Sequence, residues 1–243
     1  MLDVISRVSL HPIDYSGALR VTALSFKEKI QENDNTYSFL FTTPKLPGWK
    51  AGQHAIFTLP GAHVAGKTWR PFSVASAPSE GIIRIGTIIP PEPSSFKQRL
   101  IALQPGNVIR MFGPYGELYI KPSMSKVVAV AGGIGITPFR SIIADMADMD
   151  NDIDFHLIYS AKASHVYKAE LENWKLKLPH LKITYTTTAD EVNAVLLKEV
   201  TEGGNNTHYL LSGAPGMIEA LRRSLQEQGV RSGRIINDPF KGY

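Results

Sequence analysis

A cluster of glycines directly follows the most apolar stretch of this chain. Residues 127–131 form an uninterrupted apolar run, and residues 132–138 read Gly-Gly-Ile-Gly-Ile-Thr-Pro. Glycine lets the backbone turn tightly and approach a ligand closely, and the free N–H groups at the start of a following helix suit a phosphate. Thr137 is placed to cap that helix, and Pro138 suits its first position. The alternative is a glycine turn without a ligand, because the spacing differs from the strict Gly-x-Gly-x-x-Gly.

A second group of residues that could bind a ligand lies at 69–78, which read Trp-Arg-Pro-Phe-Ser-Val-Ala-Ser-Ala-Pro. Arg70 offers a planar donor pair that matches a phosphate, Phe72 an aromatic face, and Ser73 a hydroxyl. Alternation along a strand puts Arg70 and Phe72 on one side, with Pro71 and Ser73 on the other. An arginine near an aromatic residue also has an ordinary surface and core explanation. We expect Trp69 to pack on the β-barrel that the strand pattern described below favours, a place beside a cofactor being the alternative.

Composition excludes several classes of chemistry. The chain has 243 residues and no cysteine, which rules out disulfide scaffolds, thiolate-held iron–sulfur clusters and cysteine nucleophiles. The seven histidines show no ligand spacing, so we predict no metal site. A net charge of +4 from scattered basic residues predicts no nucleic-acid partner. No run approaches the ~18 apolar residues of a membrane span, and residues 1–10 do not resemble a signal peptide, so we expect a cytoplasmic protein.

The elements that would position these groups differ between the two halves of the chain. Short strands punctuated by proline and glycine are predicted at 20–26, 37–43, 54–59, 72–75, 82–89 and 108–112, which favours an antiparallel barrel or sandwich. Ser94 and Ser95 are suited to start a helix over 96–103, which Pro105-Gly106 would end.

Beyond Pro122 strands alternate with helices. Strands are predicted at 127–131, 153–159, 181–187 and 207–211, and helices at 138–146, 166–176 and 215–228. This alternation is typical of a parallel α/β sheet. We therefore predict two domains, residues 1–122 and residues 123–243.

In chain order, these motifs resemble the ferredoxin–NADP reductase-type superfamily of flavoproteins. Residues 70–73 (Arg-Pro-Phe-Ser) are similar to its flavin motif Arg-x-Tyr/Phe-Ser, and residues 132–138 to its pyridine-nucleotide motif. Between them, residues 94–97 (Ser-Ser-Phe-Lys) resemble the segment that cradles the flavin pyrophosphate, and Gly113-Pro114-x-Gly116 resembles the run into the domain boundary. The resemblance covers about residues 20–243. It implies a Greek-key β-barrel that binds FAD, followed by a Rossmann-like domain that binds NAD(P), without an iron–sulfur domain.

The resemblance also implies roles for individual residues of the first domain. Arg70 would bind a flavin phosphate, Phe72 would stack on the isoalloxazine ring, and Ser73 would hydrogen-bond near N5. The other implied flavin contacts are Pro71 within the motif, Gly86, Thr87 and Ile88 beside the ring, and Ser94, Ser95 and Phe96 at the pyrophosphate. Because FMN has no pyrophosphate, the last group favours FAD.

In the second domain the resemblance implies a pyridine-nucleotide site at Gly132, Gly133, Gly135, Thr137 and Pro138. Ser212-Gly213 stands where the family often has Cys-Gly beside the nicotinamide, with Met217 close by in sequence. Ser160 and Lys162 could bind the 2′-phosphate of NADPH, but no arginine follows, which favours NADH slightly. Tyr243 or Phe240 would cover the exposed flavin face.

The implied function is that of a flavin-dependent NAD(P)H oxidoreductase. Two domains that each bind one cofactor could stack the rings at a shared cleft, so that hydride passes from nicotinamide C4 to flavin N5. The electrons would continue to a redox protein, a quinone or free flavin. Ser212 in place of cysteine keeps a second hypothesis open, a flavin- or nucleotide-binding module that does not turn over. A third is an electron-transfer subunit that works only in a complex.

Overall fold

Each half of the chain has its own sheet and its own apolar core. The computed structural model describes residues 12–61, 64–149 and 152–237. The chain divides into two units between Glu117 and Leu118, a few residues before the boundary at Pro122 that the sequence suggests.

The first unit contains an antiparallel sheet of six strands in the spatial order β4-β3-β6-β1-β2-β5. It also has a short helix, α1 (Pro12–Tyr15), and a helix between β5 and β6, α2 (Ser95–Ile101). The strands are β1 (Val21–Gln31), β2 (Thr36–Thr42), β3 (His54–Thr58), β4 (Trp69–Ser73), β5 (Ile83–Ile88) and β6 (Val108–Tyr115).

Aromatic residues of β1 and β2 form the centre of this core. Phe26 and Phe41 meet edge to face, with ring centroids 5.7 Å apart, and Phe39 is fully buried beside them. The two edge strands of the sheet also approach each other, because the Ala75 amide just after β4 donates to the Arg84 carbonyl of β5 at 2.7 Å. The antiparallel β-barrel predicted for this half is confirmed as a curled antiparallel sheet of six strands, a half-barrel.

The second unit is a parallel sheet of five strands in the order β11-β10-β7-β8-β9, flanked by helices. The strands are β7 (Lys126–Gly132), β8 (Asp154–Ser160), β9 (Leu181–Thr186), β10 (His208–Ser212) and β11 (Ile235–Asn237). The helices are α3 (Thr137–Asp148), α4 (Lys168–Lys175), α5 (Ala189–Gly203) and α6 (Pro215–Glu227). The predicted α/β architecture is confirmed, whereas α5 and β11 were not predicted.

A buried polar pair ties α5 to the sheet. His156 of β8 lies with Nδ1 2.7 Å from Glu199 Oε1 and Nε2 2.8 Å from the Thr184 hydroxyl. Burial lowers the pKa of His156, although the Glu199 carboxylate opposes that change. Burial acts to raise the pKa of Glu199, but the hydrogen bond with His156 and the nearby Lys126 and Lys182 charges keep it below its ordinary value. The neutral imidazole therefore donates from Nδ1 to an ionised carboxylate.

Within the described ranges, the structure contains no helix of the length and apolar character that crossing a bilayer requires.

Candidate functional site

Arg70 of β4 is oriented by the loop that precedes its strand. Its Nη1 donates to the Lys67 carbonyl at 2.7 Å and to the Trp69 carbonyl at 2.9 Å. The residue is only 9% exposed, and its guanidinium lies 5.4 Å from the Phe96 ring at the start of α2. These contacts hold the cation in one place before any ligand binds, which lowers the entropy cost of binding an anion.

Phe72 lies on the same side of β4 as Arg70, as predicted from strand alternation. Its ring is 5.8 Å from that of Phe57 and 6.2 Å from that of Phe96, centroid to centroid. The residue is half-buried, so part of its surface is accessible to a second flat ring.

Positive charge accumulates around Arg70. Burial lowers the pKa of Lys97, and the charge of Arg70 lowers it further. The pKa of Lys67 is lowered in the same direction by the same two causes. A multivalent anion would reduce the repulsion among these cations, so the cluster of Arg70, Lys97 and Lys67 fits a diphosphate.

Helix α2 begins where the sequence predicts it. Ser94 stands at its N-cap position, although the Ser94 side chain makes no capping hydrogen bond. Ser95 Oγ instead accepts the Ala65 amide at 3.1 Å, which links the start of α2 to the loop before β4.

Ser73 has a cross-strand neighbour that sequence reasoning assigned only a structural role. The Val74 amide donates to the Gln53 carbonyl at 2.9 Å, so the next pair along the strands, His54 and Ser73, is a non-hydrogen-bonded pair. In such pairs the Cα atoms are about 4.5 Å apart and the side chains lie side by side on one face. The same alternation places Pro71 where no amide donor is needed.

Gly86, Thr87 and Ile88 lie on β5, the strand that the Ala75–Arg84 hydrogen bond connects to the end of β4. Gly86 pairs with Ser38 and is buried, as is Thr87. The structure thus puts these residues on a strand next to the Arg70–Ser73 segment.

In the second unit the glycine cluster forms a turn at the carboxyl end of β7. Gly133–Ile136 is a short 3₁₀ turn that leads directly into α3. The predicted capping by Thr137 is wrong, because Ile136 occupies the N-cap and the Thr137 hydroxyl donates back to the Ile134 carbonyl at 3.1 Å. Pro138 lies in the first turn of α3, where its missing N–H is tolerated.

The glycines of this turn serve different purposes. A Cβ on Gly135 would lie 2.6 Å from the Ser212 carbonyl carbon, and one on Gly132 would collide with the Met217 sulfur. These two glycines let the turn pack closely against the turn between β10 and α6. Gly133 has φ +54, and a Cβ placed on it would have no neighbour within 4 Å, so the backbone is open to a ligand there.

The carboxyl ends of three neighbouring strands carry the other predicted nucleotide residues. Ser160 of β8 pairs with both Gly132 and Thr186, and Ser212 of β10 pairs with Ala131. Lys162 follows as an exposed residue. Ligands of open α/β sheets bind outside the carboxyl ends of the strands, so the structure brings these residues to the edge where a nucleotide is expected.

Two predictions on aromatic residues have different outcomes. Trp69 is 40% exposed, and Lys67 Nζ lies 3.8 Å from its ring centroid, so packing on the barrel does not describe it. Tyr243 and Phe240 lie outside the described residues.

Comparison with known proteins adds independent evidence. Residues 129–223 match the family model of the oxidoreductase NAD-binding domain. Over 200 residues the chain is 28% identical to the F component of the Na⁺-translocating NADH-quinone reductase of Psychrobacter arcticus, covering 71% of this chain and 49% of that protein. Over 230 residues it is 26% identical to NADH-cytochrome b5 reductase 1 of Candida albicans, covering 86% and 77%. These similarities agree with the resemblance of this chain to the ferredoxin–NADP reductase-type superfamily.

A solved structure shares the fold of this chain. The flavohemoglobin of Malassezia yamatoensis, determined with bound FAD and heme, superposes with a TM-score of 0.75 at 19% identity, covering 98% of this chain and 65% of that one. The chain spans about half the length of the Na⁺-translocating reductase component that it matches.

Proposed function

We propose that this chain is a flavin-dependent NAD(P)H oxidoreductase that binds FAD and passes electrons to a separate acceptor. The observation that carries the proposal is the preoriented cation Arg70 beside the half-exposed ring of Phe72 and the lowered pKa of Lys97. A phosphate-binding cation next to an aromatic face is the donor set that a flavin dinucleotide needs.

Each unit would hold one nucleotide through its own residues. In the first, Arg70 would bind the diphosphate, Phe72 would line the flavin ring, and the Ser73 hydroxyl would hydrogen-bond near its reacting edge. In the second, the open backbone at Gly133 would receive the diphosphate of the pyridine nucleotide. Ser212, in the turn packed against Gly135, would approach the nicotinamide.

When bound, FAD would supply the two-electron acceptor for the hydride of the pyridine nucleotide, whose oxidised form, NAD(P)⁺, would be the product. The residues of this chain would orient the two rings and exclude water from them. NADH is the favoured donor, because the sequence just beyond Ser160 offers the exposed Lys162 but no arginine for a 2′-phosphate, and because both relatives compared by sequence are named for NADH. The acceptor is proposed to be a redox protein, a quinone or free flavin.

Reconstitution with FAD tests the proposal. We expect the purified chain to take up FAD, to show a protein-bound flavin spectrum, and to lose that absorbance on anaerobic addition of NADH. Arg70→Ala should weaken FAD binding at least about tenfold, the scale of one charge-assisted hydrogen bond. Arg110→Ala, an exposed arginine on β6, is the matched control.

The FAD-reconstituted chain also tests the competing function. NADH-dependent reduction of ferricyanide would exclude a binding module that does not turn over, which is the hypothesis that Ser212 raises. A wild-type chain that takes up neither FAD nor FMN would overturn the proposal.

A further inference from the structure

The imidazole of His165 ties the connection between β8 and α4 to the carboxyl edge of the parallel sheet. His165 Nε2 lies 3.1 Å from the Tyr159 carbonyl and 3.1 Å from the Thr186 carbonyl. Carbonyl oxygens only accept hydrogen bonds, so Nε2 must carry the proton and donate to both. One N–H therefore joins the carboxyl ends of two neighbouring strands, β8 and β9.

Aromatic contacts hold this imidazole in place. Its ring stands edge to face against Tyr159, with centroids 4.8 Å apart, and against Tyr185 at 4.9 Å. The Tyr159 hydroxyl accepts the Val166 amide at 3.0 Å, directly after the histidine. Burial raises the pKa of Tyr159 well above its ordinary value, so this phenol keeps its proton.

Further contacts fix both ends of the connection. At its start the Ala161 amide donates to the Thr186 carbonyl at 3.1 Å, the same oxygen that His165 contacts. At its end, Arg140 of α3 forms an ion pair with Glu170 of α4. Tyr167, just before α4, has a backbone φ of +63, a conformation that a residue other than glycine adopts only when the surrounding structure holds it there.

The residues that this histidine holds are those at the proposed nucleotide edge. Tyr159 directly precedes Ser160, and Ser160 pairs in register with Thr186 on one side and Gly132 on the other. A shift of the two carbonyls would therefore move Ser160 relative to the glycine turn.

We propose that His165 is a positioning residue for the pyridine nucleotide, holding Ser160 and Lys162 where the adenosine half of the nucleotide binds. The inference rests on the proposed function. Its Nε2–H is engaged by two carbonyls of the protein, so His165 acts through the strand ends rather than by contact with the ligand.

The test compares three variants of the FAD-loaded protein. His165→Leu removes the donor, His165→Gln retains an amide N–H, and His180→Leu changes an exposed histidine of the same unit. Anaerobic calorimetry of the protein with its flavin reduced beforehand by dithionite measures the dissociation constants of NADH and of ADP-ribose, because a reduced flavin cannot accept hydride; steady-state kinetics measure KM and kcat. A long-range ¹H–¹⁵N spectrum reports the tautomer of His165 in the wild type, and hydrogen exchange reports the Ala161 amide.

We expect His165→Leu to weaken NADH and ADP-ribose binding alike by about tenfold, the scale of a lost hydrogen-bond pair. KM should rise with kcat nearly unchanged, because the loss is one of uniform binding. His165→Gln should restore most of the affinity, and His180→Leu should match the wild type. The wild-type ring should show the Nε2–H tautomer, and Ala161 exchange should accelerate in His165→Leu.

Unchanged NADH and ADP-ribose affinity in folded His165→Leu would overturn the positioning role, as would a Nδ1–H tautomer in the wild type. If His165→Leu does not fold, a comparison of His165→Gln with His165→Asn, whose amide is one methylene group shorter, decides. Wild-type affinity in His165→Gln with a tenfold loss in His165→Asn supports the donor role. Equal affinity in both variants opposes it. A wild type that binds FAD but not NADH would instead contradict the proposed function, and with it the nucleotide role.

Discussion

Gly135 offers the sharpest test of how the glycine turn is built. A Cβ at this position would lie 2.6 Å from the Ser212 carbonyl carbon and 2.7 Å from the Gly213 nitrogen. Both are backbone atoms, so no side chain can rotate away. The closer contact is roughly 0.8 Å short of the 3.4 Å at which ordinary contact begins, and Gly135→Ala must therefore push the turn away from the end of β10.

The expected cost follows from that displacement. Overpacking of this kind costs about 1–3 kcal/mol, and the backbone obstacle places Gly135→Ala near the upper end. Alanine also lowers the conformational entropy of the unfolded chain, which offsets about 0.4–1 kcal/mol of this loss. We expect a net loss of about 2 kcal/mol in the free energy of unfolding, or roughly 4–8 °C in melting temperature.

Urea unfolding followed by far-ultraviolet circular dichroism measures this loss, and hydrogen exchange of the β10 amides assigns it to the parallel sheet. Gly216→Ala is the matched control: it lies in the first turn of α6 with nothing within 4 Å of its Cβ position, and should be neutral or stabilising by up to ~0.5 kcal/mol. Gly132→Ala should fall between the two, because its obstacle is the movable end of Met217. A Gly135→Ala protein as stable as Gly216→Ala would refute the reasoning.

Three further predictions concern charged side chains of the second unit. The folded-state pKa values of His156 and Glu199 are both depressed, so their contribution is present at higher pH and stability should fall as the pH drops below about 6.5; His156→Gln, which removes the imidazole that must take up a proton, should flatten the upper part of this fall in urea midpoints measured from pH 8 to pH 4. Lys162→Ala should lower kcat/KM for NADPH by at most about fivefold, as expected of an exposed charge, and leave that for NADH unchanged; an equal loss with both nucleotides would contradict a 2′-phosphate contact. Glu170→Ala removes the carboxylate that the buried Arg140 contacts and should lower the free energy of unfolding by about 2–3 kcal/mol. This loss is smaller than that of a fully buried pair because Glu170 is a third exposed. An unchanged melting temperature would show that the pair contributes nothing.

Much of the fold could be read from local patterns. The apolar run at 127–131 lies within β7, and the aromatic, β-branched run at 37–43 lies almost wholly within β2. Both patterns report which residues of a strand are removed from water, on one face or on both, a property that depends on neighbouring residues. Helix α5 was missed although its start is marked: the Thr188 hydroxyl accepts the Glu191 amide, and the Glu191 carboxylate accepts the Thr188 amide, the reciprocal arrangement of a Thr-x-x-Glu capping box. The three-residue strand β11 is too short to show any period.

The candidate site was foreseen as residue types but not as geometry. Thr137 has the right type for a helix cap, yet the 3₁₀ turn at Gly133–Ile136 moves the cap to Ile136. Trp69 has the type of a packing residue, yet it is 40% exposed beside Lys67. In the first case a short turn, rather than residue preference, decides where the side chain goes.

Residue order alone determined that this chain has an antiparallel half and a parallel half, and it placed an arginine–aromatic motif in one and a glycine turn in the other. Hydrophobic periodicity and backbone preference act over a few residues, so they are legible without a structure. Only the tertiary structure showed that Gly135 must lack a side chain because Ser212 packs against it, and that His165 joins the ends of two strands. Those contacts form between segments distant in the chain, where which atoms meet depends on the packing of the whole unit.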